Sequence, residues 1–338
     1  MTKRRMFMQD WIVGIIFLII KLGVVLVVLL TIAAYLVWVE RKLLGRLQVR
    51  YGPNRAGRFG LLQPLADLIK LITKEDTVPE AADKTIFLLA PAAVGTTAML
   101  IFAVIPFGNS FTLWGRSIPM VITDLNVGLL FAIALSSLGV YGVALGGWAS
   151  NSKYSLLGGI RGSAQMISYE LSLGLSLVPI VMLAGSFSLV DIVNAQTHYP
   201  FILVQPISFL IFFISAVAEI KRIPFDLPEA ENELVAGYHT EYSGMRFGLF
   251  FLGEYITLIV LGGLVAAFFL GGWRGPLLPP LVWFILKVLA IVFVMIWMRG
   301  TLPRLRYDQL MSLGWKVFIP VALLNIMATG AVILMIES

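Results

Sequence analysis

The sequence predicts an all-α polytopic membrane protein. It carries about eight transmembrane helices, interfacial amphipathic helices and a long acidic cytoplasmic loop between helices 5 and 6. Three observations lead there. Hydrophobic residues fill 59% of the 338 positions and charged residues only 13%, about half the share of a soluble domain, and the mean hydropathy is +0.92. Apolar runs of about 20 residues, enough to cross roughly 30 Å of hydrocarbon, recur near 11–39, 85–108, 124–146, 164–184, 200–220, 247–270, 277–299 and 315–336. Most of the 25 Lys and Arg fall in the loops after the odd-numbered runs, against Lys3, Arg4, Arg5, Arg116 and Arg274 on the other side.

That one-sidedness places the loops near 40–84, 147–163, 221–246 and 300–314 in the cytoplasm and both termini outside. It also accounts for the net charge of +6 without nucleic acid. Residues 1–338 read as a single integral membrane domain. The first apolar run follows Lys3-Arg4-Arg5 but is too long for a signal-peptide core and lacks a small-residue cleavage site.

Composition also narrows the chemistry. There are no cysteines and two histidines, His198 and His239, predicted on opposite sides of the membrane. A disulfide, an iron–sulfur cluster or a Cys/His zinc site cannot be built from these residues. No P-loop or dinucleotide fingerprint is present. The chain is therefore not expected to carry electrons or hydrolyse nucleotides alone.

The first loop contains "GPNRAGRFG", a basic turn-rich segment. It is followed by "LLQPLADLIKLITK", whose Leu61, Leu65, Leu68, Ile69 and Ile72 recur at helical spacing. That pattern predicts an amphipathic helix lying in the membrane interface, either a plain connector or part of a site. "SLVDIVNAQ" at 188–196 predicts a shorter interfacial helix outside.

The candidate chemistry lies in carboxylates. Glu170 sits about two turns into the fourth run, Glu254 at similar depth in the sixth, and Glu219 closes the fifth. An ionisable group costs several kcal/mol in hydrocarbon and normally faces a polar cavity or a partner. Carboxylates gathered in one low-dielectric channel repel each other and resist ionisation, which suits a proton relay; the alternative is a clamp with Arg or Lys. The loop adds Asp226, Glu229, Glu231, Glu233 and Glu241. Pro228 predicts a new helix starting near Asp226, on which Glu229 and Glu233 would share a face. Arg41 and Lys42, Arg161, Arg222, Arg304 and Arg306 flank the cytoplasmic ends of the spans. With Glu40 and the acidic loop they form a layer of paired charge.

Four ordered blocks then carry a family resemblance: "ERKLLGRLQVRYGPNRAGRFGLLQPLADLIKLITKE", "GWASNSKYSLLGGIRGSAQMISYE", "IPFDLPEAENELVAGYHTEYSGMRFGLFFLGEY" and "LPRLRYDQLMSLGWKVFIP". From about Glu40 to Pro320 the chain resembles a membrane component of respiratory complex I, the bacterial H subunit and its mitochondrial counterpart. The resemblance implies a subunit of a proton-pumping NADH:quinone oxidoreductase with quinone (ubiquinone or menaquinone) as substrate. It implies no metal or cluster on this chain. The implied partners are hydrophilic-arm subunits carrying the terminal iron–sulfur cluster, neighbouring membrane subunits and the lipid bilayer of the bacterial inner membrane. It assigns Glu40, Arg41, Arg50, Asp67, Lys70, Phe251 and Tyr255 to the quinone tunnel. The acidic coupling path would be Glu170, Glu219, Asp226, Glu229, Glu231, Glu233, Glu241 and Glu254, with Arg161, Arg222 and Arg304 as charge partners.

Where many members read Ala-Glu-Thr-Asn-Arg, this chain has "AEIKR", and Lys221 is expected to act on Glu219. Gly162 and Ser163 stand where small apolar residues are expected. Three alternatives remain open at this point: the equivalent subunit of a membrane-bound hydrogenase or of a complex fed by ferredoxin or a deazaflavin, a stand-alone transporter, and an inert anchor. The intact "GPNRAG" and "RYDQLM" blocks favour the quinone enzyme.

Overall fold

An apolar run free of proline lets the first helix, α1, extend over Thr2–Leu47. The computed structural model describes the backbone of residues 2–113, 116–229 and 231–337, and side chains except at 1–13, 111–117, 230–232 and 337–338. After α1 the chain doubles back, with the Arg50 amide donating to the Gly45 carbonyl at 2.8 Å. Gly45 permits this, because a Cβ there would lie 2.9 Å from the Gly52 nitrogen.

The amphipathic helix α2 (Gln63–Thr73) begins with Pro64 in its first turn and buries none of its residues. Leu65, Leu68, Ile69 and Ile72 are all exposed, so its apolar face has no cover within the described chain. Helix α3 (Lys84–Phe102) is capped by the Asp83 carboxylate, which accepts from the Thr85 and Ile86 amides at 3.1 and 3.2 Å; a cap of this kind contributes about 1 kcal/mol. A short antiparallel hairpin follows, β1 (Phe111–Leu113) with β2 (Arg116–Ile118). Next come α4 (Gly128–Ala149), α5 (Lys153–Ala184) and the short α6 (Leu189–Ala195), the outer interfacial helix expected from 188–196.

The fifth apolar run is not one rod. It forms α7 (Phe201–Val204) and α8 (Pro206–Glu219), separated at Gln205. Pro206 disfavours helical geometry in the preceding residue, and Gln205 sits at φ −127° and ψ 58°. The break is held from the side: Gln205 Nε2 donates to Thr329 Oγ1 at 2.9 Å, and Asn325 Nδ2 donates to Gln205 Oε1 at 3.0 Å. With 14 residues, α8 reaches only about 21 Å, short of a full bilayer core.

Among the described residues seven other helices are long and apolar enough to cross a membrane. They include α10 (Gly244–Phe269), α11 (Pro280–Thr301) and a final helix over 307–336. That last one comprises α12 (Tyr307–Ser312), a π turn over Leu313–Phe318 and α13 (Ile319–Glu337).

The loop after α8 departs from expectation. In place of a helix starting near Asp226 there is a single turn, α9 (Glu231–Leu234), and a 3₁₀ turn over Gly237–His239. The cause is local: the chain folds back so tightly that a Cβ on Gly237 (φ +61°) would lie 1.7 Å from the Pro228 carbonyl oxygen. Only glycine fits there.

Helix α10 is the centre of the bundle, buried over most of its length and packed on α1, α2, α3, α6, α8 and α11. Helices α4, α5, α8 and α13 complete the other side. In lipid such contacts rest on close packing, here interlocked aromatics such as Phe212 edge-on to Phe268 at 5.9 Å.

A candidate coupling site of buried charges

At the ends of α1, α10 and α11 four charges meet. Arg222, from the loop after α8, donates to Glu40 of α1 at 2.6 Å and to Glu254 of α10 at 2.7 Å. Arg299 of α11 closes on the other Glu40 oxygen. Glu40 and Arg222 are almost fully buried, and Arg222 lies over the Tyr255 ring, 4.5 Å from its centroid. Burial works against the Arg222 charge, but Glu254 and Glu40 more than offset it and raise its pKa. Two carboxylates against two guanidiniums make a balanced clamp joining three helices to the loop.

Beside the clamp, the loop carboxylates part company. Asp226 accepts from Arg304 at 3.0 Å, while its other oxygen is buried without a partner among the described residues. Burial, then the nearby Glu229 charge, push its pKa up to about 6. Glu229 is largely withdrawn from solvent, which would raise its pKa, yet His239, Lys221 and Tyr238 hold it down at about 2. Tyr238 donates to Glu229 at 2.9 Å, and His239 and Lys221 stand at 3.9 and 3.7 Å.

Glu233 does not share this setting: it is exposed and pairs with Arg161 at 2.6 Å. The expected common face of Glu229 and Glu233 fails because the helical turn that carries Glu233 begins only at Glu231. Glu241 is half-buried, away from these cavities. The Glu231 side chain lies outside the described residues.

Deeper in the bundle, Glu219 and Glu170 are held by adjacent serines of α4. Ser136 donates to Glu219 at 2.5 Å, and Ser137 donates to Glu170. The second Glu219 oxygen is buried without a partner among the described residues. Lys221, expected at Glu219, instead commits its ammonium to the Tyr238 hydroxyl at 2.7 Å.

Three cavities string Asp226, Glu229, Glu254 and Glu219 together, while Glu170 stands beside them on Ser137. One of about 170 Å³ is lined by Asp226, Glu229, His239, Lys221 and Glu254 among others. A second, of about 50 Å³, runs on from Lys221 and Glu254 to Glu219 and Ser136. A third, of about 20 Å³, continues from Glu219 and Ser136 between α4, α5, α8 and α10. Each exceeds the roughly 10–15 Å³ that one water needs.

The residues assigned to a quinone tunnel lie where α1, α2 and α10 converge. Arg41 pairs with Asp67 at 2.8 Å, and Lys70 stands 3.8 Å from Asp67. Phe251 and Tyr255 are in ring contact at 4.9 Å. Arg50 lines an open basin of about 660 Å³ with Arg41, Arg55 and Gln63. Glu40 belongs to the clamp. Sequence reasoning missed Arg299, Tyr238, Ser136 and Ser137. The adjacent serines in an otherwise apolar run were the available signal for the last two.

Fold and site together define a class: a polytopic α-helical membrane protein with a line of carboxylates leading from a charged surface loop into the bundle. The profile of the NADH dehydrogenase family matches residues 20–330. A relative from Syntrophobacter fumaroxidans, the H subunit (number 2) of NADH-quinone oxidoreductase, is 73% identical over 97% of this chain and 99% of its own length. The Geobacter sulfurreducens protein of the same name is 69% identical, covering 94% of this chain and 96% of the relative. The corresponding H subunit from Syntrophotalea carbinolica is 63% identical, with coverage of 96% and 98%. The chain belongs to the NADH dehydrogenase family, among the H subunits of NADH-quinone oxidoreductase, respiratory complex I.

Proposed function

We propose that this protein binds quinone at its cytoplasmic face, together with the hydrophilic arm, and couples quinone reduction to proton translocation through its buried carboxylates. The observation that carries the reading is the run of three cavities, joined by shared residues, from Asp226 and Glu229 through Glu254 to Glu219. Asp226, with a pKa near 6, is placed to change protonation when charge develops nearby, whereas Glu229 stays ionised. Coupling of this kind requires an element with two arrangements, and the loop over 221–246 is the candidate.

In this reading the exposed apolar face of α2 and the Phe251–Tyr255 pair guide the quinone tail, and the Arg41–Asp67 pair marks the polar entrance. The electrons arrive from a hydrophilic-arm partner that holds the terminal iron–sulfur cluster, and this chain carries no redox centre. The protein sits in the inner membrane beside other membrane subunits, with both termini outside. The relatives' names, all of quinone oxidoreductases, favour this over a hydrogenase counterpart.

Glu170→Gln tests it. In vesicles with verified complex assembly, NADH-to-quinone electron flow and vesicle acidification are followed together. Pumping is expected to fall about a hundredfold or more, as for loss of one proton-transfer group. Unchanged flow and unchanged acidification would remove Glu170 from the path.

A further inference from the structure

Among the described residues, the buried cation that the clamp does not use is Lys221. Its backbone lies at φ +60°, a left-handed conformation that costs a non-glycine residue about 1–3 kcal/mol and persists only where the surroundings enforce it. The side chain is 7% exposed, and its ammonium lies 4.2 Å from the centroid of the Tyr238 ring. Its contact with Glu229 is incomplete. At 3.7 Å the pair is beyond hydrogen-bond length, and the Tyr238 hydroxyl mediates, accepting from Lys221 at 2.7 Å and donating to Glu229 at 2.9 Å.

The position is as telling as the contacts. Lys221, Phe250 and Glu254 are the residues shared by the 170 Å³ and 50 Å³ cavities, so the ammonium stands where the loop cavity meets the intramembrane one. Glu229, Tyr238 and His239 face the loop cavity, together with Asp226, Arg222 and Arg299, while Glu254 faces both. Glu254 must share Arg222 with Glu40. A lysine suits such a junction because its compact charge rides on a flexible stem with three rotatable donors, whereas an arginine fork would lock onto one partner.

We propose that Lys221 is a movable counter-charge that exchanges its carboxylate partner between Glu229 and Glu254, and so links the state of the loop to the acids inside the bundle. No proton or bond is transferred in this step; one ion pair opens and another forms. Lys221 is a positioning residue, acting through the carboxylates it neutralises. The inference rests on the coupling reading above and deepens it.

Two measurements test it, both on the assembled complex. Lys221→Gln is expected to lower kcat about tenfold while the quinone KM moves less than about twofold, as for an interaction used only during turnover. Independently, a structure of the Glu229→Gln complex is expected to show the Lys221 ammonium moved to Glu254, because its loop-side anion is gone. A Lys221→Gln kcat within about twofold of the parent, or an ammonium still seated on Tyr238 in the Glu229→Gln complex, overturns the proposal. Should Lys221→Gln not assemble, the second structure decides alone. If Glu170→Gln abolishes pumping while Lys221→Gln does not matter, only this inference falls. If Glu170→Gln is silent, Glu170 leaves the coupling path, and the Lys221→Gln kcat and the Glu229→Gln structure still decide this inference by themselves.

Discussion

The Arg222 clamp and the Glu170–Glu219 pair both take carboxylates wholly or partly out of water, yet they do so in different ways. At the clamp, Glu40 and Glu254 face Arg222 and Arg299, so charge meets charge at hydrogen-bond distance. Inside the bundle, the hydrogen bonds to Glu170 and Glu219 among the described residues come from the neutral hydroxyls of Ser137 and Ser136. A guanidinium fixes a carboxylate in its ionised form, and separating them strands a charge. A hydroxyl can donate to an ionised acid or accept from a protonated one, so it tolerates both states. The first arrangement holds helices together, and the second leaves an acid free to change its proton.

The comparison is broken most severely at Arg222. Arg222→Met strands Glu254 and leaves Glu40 with Arg299 alone, and removing one partner of a buried pair costs about 3–5 kcal/mol. The yield of assembled complex after detergent extraction should collapse; parent-level yield would show that the charges are not a clamp.

Asp226 stands between the two regimes, with one oxygen on Arg304 and one unpartnered. Its folded pKa of about 6 lies above the ordinary 3.8, so the folded state holds a proton that the unfolded chain has lost. Its contribution is therefore fully present below about pH 4 and is lost as pH rises to about 6. Glu229 has the opposite sign: its folded pKa of about 2 lies below 4.5, so its contribution is present above about 4.5 and lost as pH falls through about 2. Asp226→Asn should flatten the pH dependence of thermal stability between about 4 and 6, and an unaltered slope would count against this assignment.

The smallest effect belongs to Arg161. Its pair with Glu233 is largely solvent-exposed, and exposed pairs contribute roughly 0–1 kcal/mol. Arg161→Gln should assemble and melt like the parent; a large loss would mean that its place over the Tyr307 ring, 5.9 Å from the centroid, matters more than the ion pair.

Much of this organisation is legible in the residues themselves. The apolar runs mark the spans because hydrocarbon demands length and polarity that a sequence displays directly. The helical spacing of Leu65, Leu68, Ile69 and Ile72 shows the exposed stripe of α2 for the same reason. Glu170 and Glu254 stand out because a carboxylate in such a run costs free energy. The partners do not stand out. Arg299 looks like any arginine at a span end, and nothing local shows that it turns inward to Glu40, 259 residues earlier. Lys221 and Glu219 are two residues apart, yet a left-handed turn at Lys221 sends its ammonium to Tyr238.

The sequence by itself therefore determined the membrane architecture, the family and the residues with chemistry to offer, since these depend on composition, period and ordered motifs. Tertiary structure alone decided which carboxylates are clamped by arginine and which rest on serine. It also decided where the fifth span breaks and which cavities join. Those outcomes depend on long-range packing between helices, and helical periodicity specifies a residue's face without naming the helix that meets it.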